Sequence, residues 1–312
     1  MLVPFSLDHV DRCVEIWNAT QAPKFRIDRD LFSTNVTALD LRVDSASWVA
    51  EEAGEMRGFV VVKRAAPELY PGPEPTWFHI NCLIGSGEVR AELLASALEN
   101  VRKIGVTKLF MGQDLRHFWP GIPVEDSGLA DLLIKNGFKE GELCCDLERD
   151  MAGYEIPAGV MERAAHADFR ACTMDDVPLL DEFFLRAFPR RWRFDVLNKI
   201  EVEGTADMVF GVFVDGICEG FAITQQDGCR MPIGGGVWYN DMGQNWGSLG
   251  PIGVSERVRG QGLGNAILAF GLAGLRDRGV RQCIIDWTTL RDFYGGHGFV
   301  ANREYRCFSL DL

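Results

Sequence analysis

The 312-residue chain repeats itself at about half its length. Residues 48–62 match residues 210–224, and in each stretch two apolar runs flank a turn, Ala53-Gly54 in the first copy and Asp215-Gly216 in the second. Glycine supplies the positive φ that such a tight turn requires, so each copy is predicted to contain an antiparallel hairpin. The repeat is the strongest constraint on the fold, because one architecture must account for both halves.

Matching helices and strands extend the repeat along the chain. The apolar residues of one predicted helix in each copy fall on a single face. They are Val89, Leu93, Leu94, Ala97, Leu98 and Val101 in the first copy, and Leu263, Ile267, Phe270 and Leu275 in the second. Each helix is predicted to end at a glycine, Gly105 or Gly279, and to lead into an apolar strand. The order of elements indicates two tandem α+β (mixed α/β) domains, each a mainly antiparallel sheet flanked by helices.

The domain boundaries are predicted from the place where the pattern breaks. Residues 151–168 carry Gly153, Pro157 and Gly159 and show little periodicity, so they are interpreted as a linker. The predicted domains are therefore residues 1–150 and 169–312.

Composition narrows the range of functions. The net charge of −13 disfavours nucleic acid as a partner, because a long polyanion would be repelled. The nine cysteines show no zinc-binding spacing, so reduced thiols and no metal are expected. The sequence shows neither the apolar span of a membrane helix nor the pattern of a signal peptide, which favours a cytoplasmic protein with no membrane partner. The oligomeric state stays open.

The most specific motif is the glycine-rich stretch at residues 250–265, GPIGVSERVRGQGLGN. A short apolar strand runs into a loop that opens the amphipathic helix at Leu263. Glycines allow backbone N–H groups to approach an anion, and a helix start adds unpaired N–H donors and a partial positive charge. Arg257 and Arg259 can add charge-assisted contacts, so the stretch is predicted to bind a pyrophosphate.

Two common nucleotide-binding motifs fit this stretch less well. The spacing RGQGLG differs from the GxGxxG of Rossmann proteins. A Walker motif needs GK[ST] at the end of the loop, where this chain has Gly264-Asn265.

At these residues the chain resembles the GNAT family of N-acetyltransferases. Residues 259–264, RGQGLG, match the family motif (Q/R)xxGx(G/A), and Phe293-Tyr294 and Gly298-Phe299 follow the next strand in the family's order. These motifs cover residues 246–299, and the repeat extends the resemblance over nearly the whole chain. The resemblance implies two tandem GNAT-like domains with partly splayed sheets, acetyl-CoA as co-substrate and a small-molecule amine as acceptor.

The resemblance also implies roles for individual residues. Ile252, Gly253 and Val254 would pair with the pantetheine arm, and the N–H near Val254 would polarise the thioester carbonyl. The pyrophosphate would lie on the loop and the helix start. The residues concerned are Arg259, Gly260, Gln261, Gly262, Leu263, Gly264 and Asn265. Tyr294 stands where the family places its general acid, which would protonate the departing thiolate; packing in the core is the alternative role.

A general base is expected as well, because an amine of pKa about 10 is mostly protonated at neutral pH. Asp286 is the candidate, at the end of an apolar strand near the expected split of the sheet. Helix capping is its alternative role, and ordered water is an alternative base. Weaker candidates are Glu219, Asp241 and Glu256. Trp287 replaces the asparagine that many GNAT proteins carry ahead of the tyrosine.

The first copy is predicted to bind no acetyl-CoA productively and to be inactive. Its loop at residues 85–88, GSGE, lacks the motif and places the acidic Glu88 where a phosphate would lie. Leu133 stands where the second copy has Tyr294.

The acceptor is the part of the function that the sequence constrains least. An aromatic insertion at residues 116–126 is predicted either to wall the acceptor cleft or to pack between the domains. Further candidates to line the acceptor side are Trp238, Tyr239, Asn240 and Trp246. FWPGIP at residues 118–123, together with DWT at 286–288, resembles tandem GNAT proteins that include glucosamine N-acetyltransferases, which suggests an amino sugar. Two other functions stay open: a non-catalytic acyl-CoA-binding regulatory protein and a protein N-acetyltransferase.

Overall fold

The computed structural model describes residues 1–37, 42–43, 46–65 and 76–312. Within these ranges the chain forms two compact units. The first unit comprises Met1–Cys145 together with Arg303–Leu312, and the second comprises Asp146–Asn302.

The elements of the first half follow the predicted order. Its strands are β1 (Leu2–Pro4), β2 (Arg42–Val43), β3 (Trp48–Glu52), β4 (Glu55–Arg64), β5 (Trp77–Gly85), β6 (Lys108–Met111), β7 (Ile122–Pro123) and β8 (Lys139–Asp150). Its helices are α1 (Val10–Thr20), α2 (Arg29–Thr37), α3 (Gly87–Lys103) and α4 (Ser127–Lys135).

The second half repeats the series. Its strands are β9 (Asp168–Ala171), β10 (Val209–Val214), β11 (Ile217–Gln226), β12 (Trp246–Val254), β13 (Gln282–Thr288) and β14 (Val300–Asp311). Its helices are α5 (Val160–Arg163), α6 (Val177–Ala187), α7 (Arg191–Glu203), α8 (Tyr239–Met242), α9 (Leu263–Asp277) and α10 (Arg291–Gly295).

The sheet of each unit is mainly antiparallel, which confirms the predicted class. In the first unit the strand order is β1-β3-β4-β5-β6-β14, with β2 paired to β4 and β7 paired to β14. In the second unit the order is β9-β10-β11-β12-β13-β8. Each sheet also contains a parallel pair, β5 with β6 and β12 with β13. A helix, α3 or α9, connects the two strands of each pair, as a parallel crossover requires.

The predicted hairpin turns are present in both units. Asp215 and Gly216 have φ of 51° and 77°, and Ala53 and Gly54 have φ of 51° and 83°. Positive φ at both central residues is the mark of a type I′ turn, whose twist matches that of the flanking strands. Each turn therefore fixes the register of its hairpin.

The predicted apolar helix faces build the two cores. In the first unit α3 buries Leu93, Leu94, Ala97, Leu98 and Val101. In the second unit the buried residues of α9 include Leu263, Ile267 and Leu275. Burial of each leucine, isoleucine or valine among them stabilises the fold by about 1.5–3 kcal/mol.

Each sheet splits beside its parallel pair. The ladder between β12 and β13 ends at Ser248 and Ile284, although both strands continue. On its other side β12 stays paired with β11 as far as Val254, with a register shift next to Gly250-Pro251. The second half of β12 is therefore paired along one side only within the described residues. The first unit splits in the same way, since its β5–β6 ladder ends at Ile80 and Met111.

Residues 151–168, which were predicted to form a linker, belong to the second unit. Met151, Tyr154, Val160 and Ala164 are buried in the second unit, and α5 packs against α9. These apolar side chains are spaced too irregularly to give a periodic signal, but their burial ties the segment to the unit.

The last strand of each half departs from the predicted boundaries. Arg303–Leu312 belongs to the first unit, where β14 pairs with β6 and sets Phe308 opposite Met111. The final residues of β8, from Asp146 on, belong to the second unit. The sequence patterns of β8 and β14 do not reveal which unit each of these segments joins. Both units have the same arrangement of strands, so either segment can complete it.

Within the described ranges, no helix has both the length and the hydropathy to cross a membrane. The same residues contain no group of three His, Cys, Asp or Glu side chains placed to hold a metal ion.

Candidate active site

In the second unit, the side of β12 that faces β13 is no longer paired beyond Ser248 within the described part of the chain; we call this the open side of β12. The Ser255 N–H donates to the carbonyl oxygen of Glu219, 2.8 Å away, and so points toward β11. Successive residues of a strand direct their N–H groups to opposite sides. The N–H groups of Ile252 and Val254 therefore point away from β11, toward the side where pairing with β13 has ended. Such an edge can pair with an extended ligand, as was predicted for these residues and Gly253.

Residues 255–262 connect β12 to the N-terminus of α9. Gly260 and Gly262 have φ of 79° and 83°. The first intrahelical bond runs from the Ala266 N–H to the Gly262 carbonyl, at 3.0 Å. Three N–H groups before it have no helical acceptor. They belong to Leu263, Gly264 and Asn265, and Gly262 contributes no side-chain cap. Together with the helix dipole they fit an anionic group such as a pyrophosphate.

The arginines of this loop are paired with nearby carboxylates. Arg257 pairs with the fully buried Glu219, which also accepts the Ser255 hydroxyl. Arg259 pairs with Glu256 at 3.2 Å, and both of these side chains are exposed, so the pair is weak. Glu219 therefore braces the loop, and its contacts favour a structural role over that of a base.

Polar side chains fix the start of α9. His297 lies 2.7 Å through Nε2 from Asn265 Oδ1 and 3.0 Å through Nδ1 from the Tyr154 hydroxyl. Burial lowers the pKa of His297, and the Arg149 charge adds to this, so the ring is neutral at pH 7. Nε2 then donates to Asn265 and Nδ1 accepts from Tyr154.

The charge of Asp286, near the end of β13, acts on Tyr294, the other predicted catalytic residue. Tyr294 in α10 is 6% exposed. Burial raises the pKa of Tyr294 to about 12, the Asp286 charge adds to the rise, and a hydrogen bond from Thr288 opposes it. The Thr288 hydroxyl also accepts from the Leu290 N–H at 3.0 Å, which holds it in place beside Tyr294. The phenol keeps its proton at neutral pH and can donate it.

A strained residue lies between Asp286 and Thr288. Trp287 has φ of 41°, in the left-handed region that costs a bulky residue about 1–3 kcal/mol. Its N–H donates to Oδ1 of Asp146 at 3.0 Å, and Nε1–H of Trp238 donates to Oδ2 at 3.1 Å. Asp146 is 1% exposed. Sequence reasoning missed Asp146; its one signal is a lone acid inside an apolar run of β8.

A glycine segment covers Asp286 from the loop before β12. A Cβ on Gly234 would stand 2.8 Å from Oδ1 of Asp286, and a Cβ on Gly235 would stand 2.9 Å from Ile284. The backbone of this segment therefore packs directly on β13. A side chain at either position would displace the carboxylate or the strand that carries it.

Two of the four residues predicted to line the acceptor side are core residues instead. Trp238 is 1% exposed and Trp246 is 3% exposed. The Trp246 ring packs against Gly236 and lies 6.3 Å from the Tyr239 ring, at the end of β12 that is still paired with β13. Burial of these large rings stabilises the unit and removes them from the cleft. Tyr239 and Asn240 are more exposed, and their role stays a prediction.

Aromatic side chains near α6 and α7 form a further wall. A Cβ on Gly253 would stand 2.9 Å from the Phe188 ring and 3.0 Å from the Trp192 ring, so both rings lie against β12. Arg191 stacks over the Trp287 ring at 5.1 Å. The split of the second sheet is thus bordered by partly exposed rings and a guanidinium group.

The corresponding split in the first unit is filled by its own side chains. The register places Asn81 where the second unit has Gly250. Lys63 is fully buried, donates to the Asn35 carbonyl at 2.7 Å and forms an ion pair with Asp114. Asn81 Nδ2 donates to Asp114 Oδ2 at 3.1 Å. Burial alone would raise the pKa of Asp114, but the Lys63 and His79 charges outweigh it and lower that pKa.

The aromatic insertion of the first copy is part of the same core. Trp119 stacks on Trp17 at 4.4 Å, and Phe118 stacks on Phe32 at 5.8 Å. Both inserted rings are almost fully buried within the first unit. The prediction that the insertion walls an acceptor cleft is therefore wrong for these side chains, because their apolar area is used to cover α1 and α2.

Known proteins resemble this chain in part of its sequence and in its whole fold. No protein-family model matches the chain. It is 32% identical over 97 residues to the mycothiol acetyltransferase of Cellulomonas flavigena, a match that covers 28% of this chain and 25% of that protein. The chain thus spans about a quarter of the curated relative that it matches.

Solved structures match over the whole chain. A GCN5-related glucosamine N-acetyltransferase region in a fungal multi-domain GH3 β-N-acetylglucosaminidase superposes with a TM-score of 0.87 at 21% identity, covering 99% of this chain and 38% of that one. A tandem GNAT protein from the clavulanic acid biosynthesis pathway superposes with a TM-score of 0.65 at 16% identity, covering 100% of this chain and 98% of that one. The chain has the tandem GNAT fold.

Proposed function

We propose that the second unit transfers an acetyl group from acetyl-CoA to a primary amine of a small molecule, by direct attack of the amine in a ternary complex. The observation that carries the proposal is the meeting of three features in one unit. These are the N–H groups at the start of α9 that have no helical acceptor, the open side of β12, and Asp286 beside Tyr294. The start of α9 fits a pyrophosphate, the open side of β12 fits an extended arm that contains amides, and Asp286 with Tyr294 fits a thioester and its attacking amine. Acetyl-CoA, when bound, supplies the activated acetyl group.

Each residue of the site has a chemical task in this proposal. Asp286 accepts the proton that the ammonium form of the acceptor must lose before it can attack. The Val254 N–H donates to the carbonyl oxygen as negative charge develops there. Tyr294 donates its proton to the departing thiolate, which is a poor leaving group without one because a thiol has a pKa of about 8.5.

We further propose an amino sugar as the acceptor. A carboxylate at the split suits the ammonium group, and the rings of Trp287, Phe188 and Trp192 suit the apolar face of a pyranose. The fold neighbour at TM-score 0.87 is a glucosamine N-acetyltransferase region, which supports the choice. The first unit takes no direct part, since its own side chains fill its split.

The test is acetyl transfer to glucosamine. Purified protein is incubated with acetyl-CoA and glucosamine, and the acetylated sugar is quantified by mass spectrometry alongside release of the CoA thiol. Asp286→Asn removes the proposed base but keeps the size of the side chain, and it is expected to lower turnover about 10²–10⁴-fold.

Two results would replace this proposal by its alternatives. Transfer to lysine-containing peptides in preference to glucosamine would indicate a protein N-acetyltransferase. Binding of acetyl-CoA without transfer to any amine in a broad panel would indicate a non-catalytic acyl-CoA-binding protein.

A further inference from the structure

The bend at Trp287 sets the geometry of the proposed acid and base. Both neighbours of Trp287 act on Tyr294, Asp286 through its charge and Thr288 through a hydrogen bond. Trp287 itself has φ of 41°, a conformation that a bulky side chain rarely adopts without support from its surroundings. If Trp287 relaxed to an ordinary strand conformation, the chain on either side of it would turn, and these two contacts with Tyr294 would be lost together.

Asp146 provides that support from the neighbouring strand. Its side chain is 1% exposed, and its Oδ1 accepts from the Trp287 N–H at 3.0 Å. The second oxygen accepts from the Trp238 ring N–H at 3.1 Å, which fixes the carboxylate in place. A hydrogen bond to a buried carboxylate is comparable in strength to the strain of a left-handed residue, so this bond can offset the strain.

We propose that Asp146 is a positioning residue of the active site. It holds Trp287 in the left-handed conformation and thereby sets Asp286 and Thr288 against Tyr294. The inference rests on the proposed acetyl transfer and names a residue that the sequence motifs do not contain. It also gives a chemical reason for the assignment of the end of β8 to the second unit.

Asp146→Asn is the primary variant. It has nearly the same shape, but it offers one carbonyl oxygen and an amide N–H₂ to two N–H donors, so one donor must lose its acceptor. We expect kcat to fall about tenfold to a hundredfold, as a displacement of reacting groups on the ångström scale produces. The KM for acetyl-CoA should stay within about twofold, because the contacts at α9 are untouched.

Two second-site variants separate positioning from a general loss of structure. In a Trp287→Gly background the bend carries no strain, since glycine adopts positive φ freely, and Asp146→Asn should then cost less than about threefold in kcat. In a Trp238→Phe background the asparagine oxygen no longer has to serve the Trp238 ring N–H as well as the Trp287 N–H, so most of the loss should be restored. A loss of equal size in all three backgrounds would overturn the inference.

A thermal-unfolding cycle tests the contact without any acetyl transfer. Asp146→Asn should lower the unfolding temperature by a few degrees in the wild-type background and by less in Trp287→Gly. If no amine is acetylated but this coupling is present, the proposed function fails and the contact stands. If transfer occurs and the two residues show no coupling, the inference about Asp146 fails alone.

Discussion

In the first unit Ser86 alone separates β5 from α3, whereas residues 255–262 separate β12 from α9 in the second. The backbones otherwise agree closely: Gln113, which corresponds to Trp287 by register, has φ of 64° where Trp287 has 41°. Both units therefore keep the same arrangement of strands and helices. The groups proposed to hold acetyl-CoA belong to the second unit. The packing of the sheet on its helices does not require the long loop, so the loop can be lost without loss of the fold.

The largest difference between the units should appear in turnover. Tyr294→Phe removes the proposed acid and is expected to lower kcat by about 10²–10⁴-fold with the affinity for acetyl-CoA unchanged. Steady-state kinetics together with calorimetric binding measure the two quantities. Tyr305→Phe, the same change at a buried tyrosine of the first unit, should leave kcat within about twofold. Equal kcat for wild type and Tyr294→Phe with every acceptor would remove Tyr294 from the mechanism.

The filled split of the first unit should matter for stability instead. Lys63→Met leaves Asp114 as a buried, unpaired charge and is expected to cost about 3–5 kcal/mol in the free energy of unfolding. Replacing both partners, Lys63→Met with Asp114→Leu, should recover much of that loss. Denaturant titration measures the free energy, and kcat per folded molecule should not change in the double variant. A cost below about 1 kcal/mol for Lys63→Met would show that the pair does not hold the split closed.

The helix starts of the two units offer a smaller contrast. Ser6 and His9 form an exposed capping box before α1, while Thr173 and Asp176 form one before α6, where Asp176 is also paired with Arg170. Asp176→Ala should cost roughly 0.5–2 kcal/mol in the free energy of unfolding, and His9→Ala less.

The stabilisation that Asp176 provides should decrease as the pH falls. The hydrogen bond from Arg170 lowers the pKa of Asp176 to about 2 in the folded protein, against about 3.9 in the unfolded chain. Its contribution is therefore fully present above pH of about 4 and is lost as the pH falls toward 2. Urea titrations of wild type and Asp176→Ala between pH 7 and 2.5 should converge at the acid end. A difference that grew as the pH fell would reverse this assignment.

A modest effect on turnover is expected at Thr288, which corresponds to Asp114 of the first unit. Thr288→Val removes the hydrogen bond to the Tyr294 oxygen, so the phenol becomes a weaker acid. The expected fall in kcat is about threefold to tenfold, equivalent to one hydrogen bond. Thr288→Ser should retain activity, and Thr107→Val in the first unit should have no effect on kcat. Identical kcat values for the valine and serine variants would contradict the role of the hydroxyl.

Much of the fold could be predicted from local signals. The turns at Gly54 and Gly216 and the apolar faces of α3 and α9 each depend on residues close in sequence, where φ preferences and helical periodicity act directly. Anion binding at the start of α9 is predicted from the same kind of local signal. The roles of the site residues themselves stay predictions until they are tested.

The features that sequence reasoning missed depend on contacts between distant residues. Asp146 reaches Trp287 because the end of β8 belongs to the second unit, and no local pattern encodes that pairing. Lys63 is an unusual strand residue whose partner, Asp114, lies beyond the next helix. Trp238 and Trp246 show the limit of composition, since a tryptophan ring can equally line a cleft or fill a core.

The central claim is that one unit binds acetyl-CoA and the other does not, and calorimetric titration of acetyl-CoA tests it most directly. The account predicts a stoichiometry of one per chain. Gly262→Glu should abolish binding, because it places a negative charge at the start of α9 at a residue with φ of 83°. Gly87→Glu, the matched change at the start of α3, should leave binding intact. Two equivalent sites per chain, or binding that is lost in Gly87→Glu and kept in Gly262→Glu, would contradict the account.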